Sequence, residues 1–205
     1  PEGMVEEDYI QLIQSLTETR LIDYVSLTAG AFHVHHGPMY LPDGELLPIV
    51  ARIRREIDVP VIHAGRITNA HLAERALAMG QVDLVGMTKT HIADPHFVRK
   101  LSEGRTDDIR HCIRCLERSD IEPATCIYNP TTSREHEWKD LEQAPNPKRI
   151  VIVGAGPAGM EAALTSAQRG HDVVVLEKTR QVGGQARLAG AGPLRSKFTE
   201  IADFY

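Results

Sequence analysis

All three cysteines of the chain fall in one stretch, HCIRCLERSDIEPATC, residues 111–126, where Cys112, Cys115 and Cys126 are spaced C-x2-C-x10-C. Thiolates grouped in this way could hold an iron–sulfur cluster, which normally takes four of them. Three thiols alone also leave zinc, or free thiols, as readings. Ser119, Asp120 and His111 are the nearby side chains that could complete a site. An odd cysteine count, with two of the three close together, fits a reducing compartment better than a disulfide framework. The expected location is cytoplasmic.

A second stretch, RIVIVGAGPAGMEAALTSAQRGHDVVVLEK from Arg149, carries G-x-G-x-x-G at Gly154, Gly156 and Gly159. That motif alone is weak evidence. Here it lies between a strand pattern and a helix pattern, with an acid, Glu177, 23 residues after its first glycine. This context points to a dinucleotide or ADP site. Gly154 permits the tight turn, Gly156 lets backbone approach a pyrophosphate, and Gly159 brings helix and strand together. The helix start around Ala155, Pro157 and Ala158 supplies N–H donors and a positive dipole end to phosphate. Glu177 can accept hydrogen bonds from a ribose, and Gly184 and Gln185 complete the expected set. The alternative is a glycine-rich turn without a ligand.

The elements that must position these residues fall into three regions. From 5 to 105 helix and strand patterns alternate in roughly three β/α units. VEEDYIQLIQSLTETR places Tyr9, Ile13 and Leu16 at helical spacing, with acids in the first turn where the dipole favours them. DYVSLTAG reads as a strand, residues 44–57 as a helix, VPVIHAG as a strand, NAHLAERALAMG as a helix closed by Gly80, and VDLVGM as a strand. The strands are short, apolar and separated by helices, as in a parallel sheet buried on both faces. Residues 106 to about 148 show no sustained periodicity and read as a connector. From 149 to 205 the pattern is strand, helix, strand.

Composition narrows the function classes. A hydrophobic share of 42% with 25% charged residues suits a globular chain able to bury a core. A formal charge of −5 provides no basic footprint for nucleic acid. No apolar run is long enough to span a bilayer, and PEGMVEEDY lacks the marks of a signal peptide.

Taken together, IADPHFVRKLSEGRTDDIRHCIRC, then CIYNPTTSRE, then the glycine-rich strand resemble the flavin oxidoreductases that include 2,4-dienoyl-CoA reductase and trimethylamine dehydrogenase. VIHAGRI and LVGMTKTHIADPHFVRK look closer still to the demethylases of N-methylproline and related N-methylated amines. The resemblance covers essentially the whole chain. It implies an α/β fold: the C-terminal part of an FMN-binding TIM barrel over 1–105, a cysteine-containing connector over 106–148, and the N-terminal part of a Rossmann-like domain holding FAD or ADP over 149–205. It also implies an internal piece of a longer protein, with the earlier barrel strands and their catalytic groups before Pro1, so no catalytic residue is named.

Phosphate sites in such barrels are built by the loops after the last strands. The two candidate strands end in Gly65-Arg66 and in Gly86-Met87-Thr88-Lys89. By resemblance Gly65, Arg66, Thr88 and Lys89 bind the FMN phosphate. Where the family usually has arginine this chain has Lys89, which binds phosphate as a point charge without a bidentate fork. The alternative is that Arg66 and Lys89 merely solvate a surface. His33, His35 and His36 could touch substrate or flavin or be ordinary loop histidines, and His63 could face the barrel interior or be structural. In the cysteine stretch the resemblance implies a [4Fe–4S] cluster with a further cysteine near Arg118 or Ser119, where none stands.

The reaction implied is flavin-dependent oxidation of a methylated amine by N-demethylation. The runners-up are NAD(P)H-dependent enoyl reduction, a nucleotide-binding electron-transfer module without its own active site, and an inactive truncated product. The expected partners are a small-molecule substrate, an electron acceptor or NAD(P)H, and the rest of the polypeptide or a second copy.

Overall fold

The computed structural model describes residues 3–28, 39, 41–115, 125–138 and 141–205. The chain divides into two compact units, residues 1–37 with 41–91, and residues 38–40 with 92–205.

In the first unit three strands, β1 (Val25–Leu27), β2 (Val61–His63) and β3 (Leu84–Val85), pair in parallel in the order β1-β2-β3. Leu27 pairs with His63 and His63 with Val85, so all three strands end at the same edge. Helices α1 (Glu6–Glu18), α2 (Leu47–Arg55) and α3 (Ala70–Ala78) alternate with them, and α4 begins at Thr88. Each boundary has a local cause. Asp8 accepts a hydrogen bond from the Val5 N–H at 2.9 Å and opens α1. Pro48 sits in the first turn of α2, where its missing N–H costs nothing. Asn69 caps α3 by accepting from the Leu72 N–H at 2.9 Å. Gly80, at φ +62, closes α3 by donating to the Leu77 carbonyl at 2.9 Å.

Two expectations shift in detail. Of Tyr9, Ile13 and Leu16, which stand at helical spacing as expected, Ile13 is buried and Leu16 half-buried, while Tyr9 stays exposed and Ile10 packs against the core instead. Arg52 of α2 and Glu6 of α1 form an ion pair at 2.7 Å where the two helices meet. The helix expected over 44–57 starts only at Leu47, because 44–46 form the turn that returns the Leu47 N–H to the Gly44 carbonyl.

The core of this unit gathers Ile13, Leu47, Val50, Ile53, Ile57, Val59, Val61, Ile67, Leu72 and Val82. At the edge where the strands begin, Asp83 accepts from the Val61 N–H at 2.8 Å and is gripped by Arg54 Nε at 2.6 Å. The Arg54 guanidinium, ahead of the backbone bond, holds the Asp83 carboxyl below its ordinary range.

The second unit joins the connector to a two-stranded parallel sheet, β4 (Arg149–Val153) and β5 (Asp172–Leu176), linked through α6 (Pro157–Gln168). Helix α5 (Phe97–Ser102) precedes the connector, and α7 (Gln185–Gly190) and α8 (Lys197–Phe204) close the unit. Its hub is Asp94, a carboxylate 3% exposed. Asp94 accepts from Lys100 Nζ at 2.6 Å, the Arg110 N–H at 3.0 Å and the His96 N–H at 3.0 Å. A buried charge persists only when paired and hydrogen-bonded in this way. Arg110 in turn pairs with Glu161 of α6 at 2.7 Å and lies over the rings of Tyr128 and Phe204. The Tyr205 hydroxyl also donates to Glu161. Among the described residues no helix is long and apolar enough to cross a membrane.

Leu72 is 5% exposed and touches the turn at Gly44. Leu72→Ala is expected to destabilise the first unit by about 2–5 kcal/mol, read as a lower urea midpoint with an unchanged slope.

Candidate flavin and nucleotide sites

At the edge where the parallel strands end, β2 runs into Ala64-Gly65-Arg66 and β3 into Gly86-Met87-Thr88-Lys89. The two loops meet there: the Gly86 N–H donates to the His63 carbonyl at 2.9 Å, and a Cβ on Gly86 would lie 2.8 Å from the Ala64 methyl. Arg66 adopts a left-handed φ of +54 and forms an ion pair with Glu45 at 2.7 Å. Its carbonyl accepts from the Gly44 N–H at 3.1 Å, and Thr68 donates to Asp43 at 2.9 Å. The loop is therefore fastened to the start of α2. Thr88 and Lys89 occupy the first turn of α4, Thr88 exposed and Lys89 half-buried. The structure thus brings Gly65, Arg66, Thr88 and Lys89 to one edge. Open glycine backbone and two cations fit a phosphate, with Glu45 the anion a phosphate would displace or share. Sequence reasoning missed Glu45, since nothing in its local pattern reports a partner 21 residues away.

His63 ends β2, is fully buried, and its Nδ1 lies 2.8 Å from the Leu27 carbonyl. Burial pushes its pKa down, partly opposed by that hydrogen bond, so the ring is neutral. His33, His35 and His36 lie outside the described residues.

In the second unit the glycines of the motif serve different ends: Gly156 leaves open space where a side chain would stand, Gly154 takes a left-handed turn, and Gly159 makes a close approach. Gly154 has φ +99 and its N–H donates to the Leu176 carbonyl at 2.7 Å. A Cβ on Gly159 would overlap the Gly154 carbonyl oxygen. Gly156 is the N-cap of α6 and Pro157 its first residue, so the N–H groups of the first turn are left to face a ligand. Ala155 is buried beneath the loop, with Ala158 in the first turn of the helix.

Glu177 stands directly after β5. Its Oε2 accepts from the Ala155 N–H at 2.9 Å, and its Oε1 accepts from the Thr179 N–H and hydroxyl at 2.9 and 3.0 Å. These bonds, the Ala155 N–H foremost, hold its carboxyl below the ordinary range. Glu177 therefore fixes the glycine loop as well as presenting an ionised carboxylate beside it.

A second loop covers the first. The Gly183 N–H donates to the Ala155 carbonyl at 2.7 Å, and a Cβ on Gly184 would sit 3.2 Å from Gly156 Cα. Gln185, exposed, begins α7 next to it. Gly183, at φ +110, was missed from sequence, although the Gly-Gly pair ahead of a helix was its signal.

The cysteines are half-buried, and no disulfide joins them. Arg114, at φ +54, turns the chain back between Cys112 and Cys115. Cys126 Sγ accepts from the Asn129 N–H at 3.4 Å. Cys115 and Cys126 pack against Ile113, Tyr128, Ala186 and Ile201. Among the described residues no three His, Cys, Asp or Glu side chains gather as a metal-binding group. His111 is held neutral by burial. Ser119 and Asp120 lie outside the described residues.

Residues 7–108 match the NADH:flavin oxidoreductase / NADH oxidase family, and residues 149–193 match an FAD binding domain. The chain is 40% identical over 211 residues to a multifunctional alkene reductase/demethylase of Caballeronia cordobensis, covering 99% of this chain and 31% of that protein. It is 37% identical to an N,N-dimethylglycine/sarcosine dehydrogenase of Chromohalobacter salexigens, covering 100% of this chain and 31% of that protein. The solved structure of a 2-naphthoyl-CoA reductase in complex with 2-naphthoyl-CoA superposes with a TM-score of 0.91 at 31% identity, over 99% of this chain and 32% of that one. The chain thus spans about a third of the length of the relatives it matches. It belongs to the NADH:flavin oxidoreductase / NADH oxidase family of enzymes, and its α/β fold is the C-terminal part of a TIM barrel, a cysteine-bearing connector and the start of a Rossmann-like FAD-binding domain.

Proposed function

We propose that this chain is the cofactor-holding middle of a flavin-dependent oxidoreductase that oxidises a methylated amine by N-demethylation. The observation that carries the reading is the pairing of two separate ligand loops in one chain: the Gly65-Arg66 and Gly86–Lys89 edge, and the Gly154–Gly159 loop with Glu177 beside it. The parts proposed are a barrel portion over 1–105, a connector over 106–148 and a nucleotide-binding portion over 149–205.

Bound FMN would supply the two-electron chemistry with substrate. The chain's own residues have a simpler task. Gly65 and Gly86 admit a phosphate to the backbone, and Arg66 and Lys89 neutralise it. At the other site Gly154, Ala155, Gly156, Pro157, Ala158 and Gly159 present the helix start to a pyrophosphate of FAD or ADP, Glu177 faces the ribose, and Gly184 and Gln185 close over it. The amine reading draws on the named activity of the Chromohalobacter relative. Reduction of an activated alkene with NAD(P)H is the second reading, favoured by the reductase activities in the names of the Caballeronia protein and the naphthoyl-CoA enzyme. In either case the acceptor or donor of electrons is a separate molecule, and the protein works in the cytoplasm.

Mixing the flavin-loaded full-length protein with N,N-dimethylglycine or sarcosine under argon is expected to bleach the flavin and release formaldehyde. Bleaching only by NAD(P)H, with reoxidation by an enoyl thioester, would replace the amine reading with the reductase one.

Gly159→Ala forces a methyl into the Gly154 carbonyl. It is expected to abolish FAD or ADP binding, measured by calorimetry, while FMN is retained.

We also propose that Cys112, Cys115 and Cys126 hold an iron–sulfur cluster in the intact protein. The turn at Arg114 and the N–H bond to Cys126 suit thiolate ligands, though the side chains must draw together to bind iron. Anaerobic protein is expected to carry iron and acid-labile sulfide that Cys112→Ser removes; zinc in their place, or flavin without metal, would overturn the assignment.

A further inference from the structure

The fully buried His63 has one nitrogen that the fold uses and one that it does not. Nδ1 lies 2.8 Å from the Leu27 carbonyl. A carbonyl only accepts, so Nδ1 carries the proton and the neutral ring keeps its lone pair on Nε2. Nε2 is buried, yet among the described residues it has no hydrogen-bond partner. Buried polar atoms are rarely left so, and an orphan at the ligand edge of a sheet asks for a partner beyond the described residues.

The geometry narrows what that partner is. A Cβ on Gly65 would overlap both Nε2 and Cε1 of the imidazole. The Gly65 backbone therefore lies directly against this nitrogen, next to the edge where the Gly65-Arg66 and Gly86–Lys89 loops meet. A lone pair selects a donor. An ionised phosphate oxygen only accepts, so phosphate is not the partner of Nε2; it belongs with Arg66 and Lys89. In a flavin mononucleotide the group next to the phosphate is the polyol chain, and its hydroxyls donate.

We infer that His63 Nε2 accepts a hydrogen bond from a ribityl hydroxyl of the bound flavin, which makes His63 a specificity residue for the polyol chain. This rests on the FMN reading above. It also explains why the histidine and Gly65 occur together: a side chain at 65 would displace the imidazole from its place beneath the loop.

The test uses full-length protein stripped of flavin and reloaded with FMN or with its 2′-, 3′- and 4′-deoxyribityl analogues, with affinity read from flavin fluorescence. One analogue is expected to bind the unaltered protein roughly tenfold more weakly than FMN, the scale of one neutral hydrogen bond. In His63→Leu that discrimination disappears because FMN itself falls to the analogue's affinity, while His63→Gln, which keeps an acceptor, preserves part of it.

A second measurement needs no variant. The Nε2 nitrogen resonance of His63 in labelled protein is expected to shift on adding FMN and to stay in place with the discriminated analogue. Tight FMN binding with no analogue discriminated, or with equal discrimination in His63→Leu, would overturn the inference and leave the FMN reading standing. Failure of every flavin to bind would overturn both.

Discussion

Where a parallel strand of this protein ends, the chain has to turn toward a helix with no side chain in the way. A Cβ at Gly159 would overlap the Gly154 carbonyl, and one at Gly65 would overlap His63. Parallel strands all finish at one edge, so their turns crowd together, and glycine is the residue that lets backbones come so close. The same constraint opens room for a ligand. Backbone N–H groups that no side chain shields are donors for phosphate, and both proposed sites offer them. Each unit thus reaches the same solution, once after β2 and β3 and once after β4.

Charge is distributed around these edges in distinct ways. In the first unit Arg54 and Asp83 tie the edge where the strands begin, fixing the Val61 N–H. At the opposite edge Arg66 pairs with Glu45 on the ligand side. The former pair serves the sheet, whereas the latter fixes a cation at the edge where a phosphate is proposed. In the second unit the buried Asp94 fastens Lys100 and Arg110, and Arg110 carries the link onward to Glu161 on the helix of the glycine motif. Removing one member of such a chain would strand a desolvated charge, so the connector's course is set by these pairs as much as by apolar packing.

The cysteine stretch follows a different logic. Its turn at Arg114 and the sulfur acceptor at Cys126 are local features suited to metal ligation. The packing of Cys115 and Cys126 against Tyr128, Ala186 and Ile201 gives the same side chains an apolar role. A thiol can do both, because sulfur is soft and weakly polar. Ion pairs and the Tyr128, Phe204 and Tyr205 ring cluster hold this region among the described residues.

From sequence alone, periodicity reported the helices and the strands, although among the described strands only β2 is buried as expected and β4 and β5 keep exposed positions. The glycine spacing with Glu177 reported the loop that the FAD-binding-domain match covers. Such features are short-range: a turn that demands glycine, a cap that demands asparagine, a strand that must be apolar on both faces. The proposed phosphate residues Gly65, Arg66, Thr88 and Lys89 come from resemblance to a family, since no local rule distinguishes Arg66 from a surface arginine. Tertiary structure alone decided the rest. It turned α1 so that Ile10 faces inward and Tyr9 outward, set Glu45 against Arg66, and made Asp94 a buried hub. Among the described residues it also left one nitrogen of His63 with no hydrogen-bond partner. Each of these depends on which distant segment arrives beside a residue, and burial and pairing across such separations are properties of the packed chain rather than of any window of its sequence.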